Sequence, residues 1–156
     1  MKKFAVLILS IFFVLVSIFY FTPSILFDGP VRADISLKPD DQDLVVLGRL
    51  VYENNCASCQ GVNSVGQERW REPDTDGYVP APPHDETGHT WHHPDKYFLM
   101  TKYGLEEIIG QEYPNNMPAY KDILSDEEIL ASLSFIKSTW SREIKLQHDK
   151  INEMNK

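Results

Sequence analysis

The chain has 156 residues, of which 42% are hydrophobic, and it carries a formal net charge of −8. This length allows one domain with an appendage and excludes a large multi-domain enzyme. The acidic balance argues against a nucleic-acid-binding protein, because such proteins usually present a basic surface. The two cysteines are too few for a disulfide-rich scaffold, so their spacing must carry any information.

The N-terminal segment, residues 1–30, is predicted to be a signal-anchor or transmembrane helix. Residues 4–27 provide 24 positions without a charge, and about 20 apolar residues are enough to span a bilayer. Lys2 and Lys3 precede this run, so the remainder is expected outside the cytoplasm. We therefore predict a single-pass protein of the bacterial inner membrane with its C-terminal domain in the periplasm. The alternative is cleavage near Ala33 and release into the periplasm.

Residues 31–43 are polar and predict a linker between this segment and a domain at residues 44–142. The chain after Ala33 contains 12 basic and 22 acidic residues, which gives a net charge of −10. Such a surface favours partners with basic patches and is repelled by anionic lipid headgroups. The same charge could also serve solubility alone.

The domain is predicted to be all-α, because no strand-like alternation stands out. Apolar residues recur at mostly helical spacing over residues 43–54, which predicts a first helix. Gly48 interrupts this pattern at a cost of about 1 kcal/mol relative to Ala, which indicates close backbone packing. The long stretch from residue 61 to 94 is rich in Pro, Gly and Asp and predicts a loop.

Two further helical segments are predicted after this loop. Pro94 suits a first helical position and Gly104 the position after a helix end, so residues 94–103 predict a helix. Residues 105–109 predict another short turn of helix.

The terminal helix has the clearest sequence signal. Ser125 and Glu128 form a capping box at its start. Behind the cap, an apolar stripe at helical spacing predicts the buried face, formed by Ile129, Leu133, Ile136 and Trp140. Residues 143–156 are polar and are predicted to be a tail that extends or frays from this helix.

The Cys56-x-x-Cys59 motif follows the first helix directly and admits several chemistries. A thioredoxin-like site would need a βαβ context, which the sequence lacks. A zinc site would need two more well-spaced ligands. Covalent haem attachment needs two thiols one helical turn apart and a histidine at the next position, where this chain has Gln60.

The chain resembles the class I cytochromes c over roughly residues 44–142. The order of helix, CxxC motif, long loop, Met-Pro loop and acidic-capped helix is much more specific than the CxxC motif alone. The resemblance is carried by Gly48-x-x-Val51-Tyr52, Cys56-Ala57-Ser58-Cys59-Gln60-Gly61, Asn115-Asn116-Met117-Pro118-Ala119-Tyr120 and the helix at 124–140.

The resemblance implies a cytochrome c fold of three to five helices with long loops around a haem. It implies one covalent haem c per chain, attached by thioethers to Cys56 and Cys59, with Met117 as the distal iron ligand. Its function would be electron transfer between redox proteins rather than catalysis, although a place in a larger oxidoreductase is open. Gln60 stands at the proximal position, and its amide oxygen is a weak ligand for Fe(II).

Gln60 leaves two other functions open. A haem with a vacant proximal position could sense or store a small ligand. A haem-free domain, closed by a disulfide between Cys56 and Cys59, could instead serve as an interaction module.

Other side chains could contribute to a haem site. A replacement imidazole could come from the histidine-rich loop, although Pro94 disfavours the helical geometry that would pair its members four residues apart. His148 in the predicted tail is expected to have no functional role. Aromatic residues could line a haem cleft or only fill the core. The loop histidines are His84, His89, His92 and His93, and the aromatic candidates are Trp70, Trp91 and Tyr113.

Overall fold

A computed structural model of the protein describes residues 35–155. The predicted signal-anchor at residues 1–30 lies outside the described residues. Among residues 35–155, none of the helices combines the length and the apolar character that crossing a membrane requires.

Helices and loops make up the described part of the chain, as the sequence predicts. Six α-helices occur there, rather than three to five, and Thr90–His92 adds one turn of 3-10 helix. Within residues 35–155 the β pairing is limited to an isolated bridge between Val79 and Asn115. The helices are α1 Gln42–Asn55, α2 Ala57–Gln60, α3 Tyr97–Tyr103, α4 Leu105–Ile109, α5 Asp126–Ser138 and α6 Arg142–Met154.

The two long helices α1 and α5 begin at caps that the sequence encodes. The Asp41 carboxylate accepts a hydrogen bond from the Leu44 N–H at 3.1 Å. The predicted capping box at α5 is confirmed, because Ser125 and Glu128 each accept from the other's backbone N–H. These bonds satisfy backbone donors that a helix start otherwise leaves unpaired.

The crossing of α1 and α5 forms the largest contact between helices in the described chain. Gly48 lies at this crossing, where an added Cβ would overlap the carbonyl group of Ala131. The predicted close packing of Gly48 is therefore confirmed. The buried core next to it consists of Tyr52, Phe98, Tyr120, Ile129, Leu133, Ile136 and Trp140. Trp140 lies just beyond the end of α5, whereas the other predicted stripe residues lie within it.

Helix α3 begins three residues later than predicted. The segment before it forms a turn in which the Pro94 carbonyl accepts from the Tyr97 N–H at 2.8 Å. The Asp95 N–H is donated to Asn152 Oδ1 at 2.6 Å, which directs this turn toward the C-terminal helix. Gly104 ends α3 with a φ of +92°, in the role that the sequence predicts.

The ends of the domain are more ordered than the linker and tail predictions suggest. Residues 142–154 form the separate helix α6, capped by Ser141, so they do not extend α5. At the other end, the Leu37 N–H is donated to Asp95 and the Lys38 N–H to Ser134, which ties this part of the predicted linker to the domain.

Candidate functional site

The CxxC motif occupies the junction between α1 and the single-turn helix α2. The Cys56 N–H is donated to the Tyr52 carbonyl at 2.8 Å, so the first cysteine ends α1. Gly61 ends α2 with a φ of +75°, a left-handed conformation that favours glycine. Both cysteines are free thiols, Cys56 half-buried and Cys59 exposed. The two thiols are thus presented one helical turn apart at the edge of the core.

Burial dominates the electrostatics of the first thiol. It raises the pKa of Cys56 to about 11, with a smaller contribution from Cys59. A thiol that acts as a redox nucleophile needs a lowered pKa. The site therefore has the opposite character to a thioredoxin-like centre, in agreement with the absence of strands from the described residues.

Three tyrosines belong to the core cluster or pack against it, as Cys56 does. Burial raises the pKa of Tyr97 and of Tyr120 to about 12, and it also raises the pKa of Tyr52. The charge of an ionised Cys56 adds to each of these shifts. The hydroxyl of Tyr120 donates to the Asn55 carbonyl at 2.8 Å, and that of Tyr52 donates to the Gly61 carbonyl at 2.7 Å. These bonds fix the backbone on both sides of the motif.

Met117 lies in a loop whose conformation is set by its neighbours. Its N–H is donated to Asn115 Oδ1 at 2.9 Å, and the Asn115 amide donates to the Tyr113 carbonyl at 2.7 Å. The Val79 N–H is donated to the Pro114 carbonyl at 3.0 Å, which joins the long loop to the Met117 loop.

Met117 and Cys56 pack against the same core cluster. Both are half-buried, although 61 positions separate them in the sequence. The thiol of Cys56 and the thioether of Met117 therefore both lie at the edge of this one cluster.

Gln60 carries an unusual buried atom. Its side-chain oxygen Oε1 is buried and has no hydrogen-bond partner among residues 35–155. The backbone around it is well tied, because the Gln60 carbonyl accepts from the Gly66 N–H at 2.9 Å. Buried oxygens normally find a donor, since leaving one unpaired costs about 1–3 kcal/mol. Within residues 35–155, this acceptor is therefore left without a donor.

The histidine-rich loop forms contacts of its own. Within residues 35–155, no group of three or more His, Cys, Asp or Glu side chains is arranged to hold a metal ion. His93 has an extended backbone, so the prediction that Pro94 disfavours helical geometry there is confirmed. His89 Nδ1 and His93 Nε2 nevertheless lie 3.1 Å apart, so the expectation that these two residues would not pair is wrong. His92 is exposed and lies against the Trp91 ring.

His84 is buried and fixed on three sides. Its Nδ1 lies 2.7 Å from Thr90 Oγ1, its N–H is donated to the Ser64 carbonyl, and its carbonyl accepts from Trp140 Nε1 at 2.8 Å. Burial lowers the pKa of His84 to about 4, and the charge of His89 adds to this. The imidazole is therefore neutral at physiological pH and belongs to the core.

The aromatic candidates have different positions. Trp91 packs against the core cluster, whereas Trp70 lies between Arg71 and His89. Tyr113 is half-buried in the Met117 loop.

Sequence reasoning did not single out Tyr52, Tyr97 and Tyr120 as neighbours of Cys56. Tyr52 stands one helical turn before Cys56, which was an available signal, whereas Tyr97 and Tyr120 reach the motif only through the fold.

Comparison with known proteins identifies one family. A family model described as "Cytochrome c" matches residues 45–140, a segment that includes both cysteines, Gln60 and Met117. No curated protein matches the chain, and no solved structure does so.

Proposed function

The chain belongs to the cytochrome c family, and from this premise we propose that it carries single electrons through one covalently bound haem c. Cys56 and Cys59 would hold the haem through thioethers, and Met117 would bind the iron on the distal side. When bound, the haem supplies reversible one-electron chemistry of its iron. Members of this family are typically electron carriers rather than enzymes, and haem-based electron transfer is the function that the family match supports.

The observation that carries this proposal is the convergence of Cys56 and Met117 on one core cluster. Haem attachment requires the thiol S–H to add across a vinyl double bond, so no atom is lost and no oxidant is consumed. Both thiols are free for such an addition. The buried, unpaired Gln60 oxygen also fits a site completed by a bound group.

Location and partners form a second part of the proposal. The two N-terminal lysines before a long uncharged run favour an anchor in the bacterial inner membrane with the domain in the periplasm. The excess of acidic residues after Ala33 favours redox proteins with basic docking patches. Association with such a partner should weaken as the salt concentration rises, because charges at an exposed interface are screened.

The experiment that tests the function uses the full chain, produced together with bacterial haem-attachment machinery. We expect its intact mass to include one haem and its absorption to change reversibly in a one-electron titration. The double variant Cys56→Ala/Cys59→Ala should lack the added mass. The control Ser58→Ala changes an exposed residue between the two cysteines and should retain it. A wild-type chain without haem would overturn the proposed function.

A further inference from the structure

We propose that Gln60 makes the proximal face of the haem a binding site for small nitrogen-donor ligands, with its own amide oxygen as a weak and displaceable occupant. This inference rests on the proposed function, because it concerns the haem that the two cysteines hold. It assigns to the chain a ligand site in addition to electron transfer.

The unpaired oxygen of Gln60 is already placed where a ligand atom is needed in this family. Gln60 Oε1 is buried and lacks a hydrogen-bond donor among residues 35–155, while the backbone of Gln60 is fixed at the end of α2 by the bond to Gly66. Oε1 of Gln and Nε2 of His stand the same number of bonds from Cα. The amide oxygen can therefore occupy the position of the imidazole nitrogen that the family places after the second cysteine.

Each imidazole of the chain already has a partner elsewhere in the fold. The chain contains five histidines, all within the described residues, and each one already contacts another side chain. The backbone of His84 is further tied by Ser64 and Trp140, so it cannot swing toward another site without breaking these bonds. The contacts are His84 with Thr90, His89 with His93, His92 with Trp91, and His148 with Asp95.

The donor atom of Gln60 differs chemically from an imidazole nitrogen. An amide oxygen is a hard donor, whereas haem iron is held firmly by imidazole nitrogen or thioether sulfur. An external imidazole therefore competes well with Gln60 Oε1 but poorly with a tethered histidine at the same position. The site should select small neutral nitrogen donors, since the oxygen that they replace is buried.

The test is a titration of the haem-loaded full chain with imidazole, followed by absorption and electron paramagnetic resonance. We expect a high-spin ferric spectrum that becomes low-spin as imidazole is added. The Gln60→His variant should be low-spin before any imidazole is added. It should bind imidazole more weakly than the wild type by a factor of about ten or more. The Gln60→Leu variant lacks the competing oxygen and should bind imidazole several-fold more tightly than the wild type.

The outcomes separate this inference from the proposed function. A haem-loaded wild type that is low-spin and does not respond to imidazole would overturn the ligand site while leaving electron transfer intact. Equal imidazole affinities in all three proteins would also overturn it. Such a result would show that imidazole displaces Met117, which all three proteins share, and not the side chain at position 60. A chain that carries no haem by intact mass would overturn the proposed function and this inference with it.

Discussion

His148 Nε2 lies 3.6 Å from Asp95 Oδ1, and the two side chains are 2% and 10% exposed. The other Asp95 oxygen accepts from the Leu37 N–H at 2.9 Å. Asn152 forms two hydrogen bonds with Asp95. Its side chain accepts from the Asp95 N–H at 2.6 Å and donates to the Asp95 carboxylate at 2.9 Å. Asp95 therefore joins the segment around Leu37, the turn before α3 and helix α6.

Replacing Asp95 should destabilise the domain. Asp95→Ala leaves the Leu37 N–H and the Asn152 amide without their acceptor in a mostly buried region. We expect the free energy of unfolding to fall by about 2–4 kcal/mol. Urea unfolding followed by circular dichroism measures this loss. Asp122→Ala removes an exposed carboxylate and serves as the control, and equal effects of the two changes would contradict a role for Asp95 in joining these segments.

His84 should give the stability a defined dependence on pH. Burial lowers its pKa from 6.5 to about 4, so between these values the unfolded chain binds a proton that the folded chain does not. The contribution of His84 to the free energy of unfolding is therefore fully present above pH 6.5, and it is lost as the pH falls toward 4. This residue alone should remove about 3 kcal/mol by the end of that window. Burial also lowers the pKa of His148, which acts in the same direction.

The measurement is the free energy of unfolding in urea across this pH range, for the wild type and for His84→Gln. At neutral pH the variant should be less stable, because it loses the fit to Thr90, but its stability should fall less steeply with acid, so the difference between the two proteins should shrink toward pH 4. An unchanged slope would show that His84 is not the group that titrates.

The local parts of the fold could be predicted because their signals are close in the sequence. The caps at Ser125 and Glu128, the role of Gly104 and the packing of Gly48 each depend on a few neighbouring residues. Helix α6 was missed because its polar composition resembles a frayed tail, although Ser141 provided a cap signal. The partner of His148 could not be predicted, since Asp95 approaches it only after both ends of the domain fold.

The family was predictable from the sequence, but the surroundings of the cysteine motif were not. The spacing of Cys56 and Cys59 and the Met-Pro loop at Met117 pointed to the family that the comparison identifies. The half-buried state of Cys56, and hence its raised pKa, depends on its packing against a core cluster whose members come from separate segments. The unpaired oxygen of Gln60 is likewise a property of burial, which a single sequence does not report.

Gly48→Ala should destabilise the domain even though Ala favours a helix by about 1 kcal/mol. The added methyl group would overlap the Ala131 carbonyl, so α1 and α5 would have to separate. We expect a net loss of about 2 kcal/mol or more in the free energy of unfolding. Urea unfolding should show a lower midpoint, whereas Val46→Ala on the exposed face of α1, where the side chain is 62% exposed, should change it little.

Asn115 should position Met117 on the iron, provided that the proposed function holds. Asn115→Ala removes the acceptor of the Met117 N–H and the donor to the Tyr113 carbonyl, which frees the loop that carries the sulfur. The loss of one such hydrogen bond, about 1 kcal/mol, should raise the population with Met117 detached about fivefold. The sulfur-to-iron charge-transfer band measures this population in the Gln60→His background, whose ferric haem is expected to be low-spin. Asn116→Ala alters an exposed neighbour in the same loop. Because Asn116 does not bond the Met117 N–H, a loss of the band in both variants would indicate general loop disruption and would contradict the specific role of Asn115.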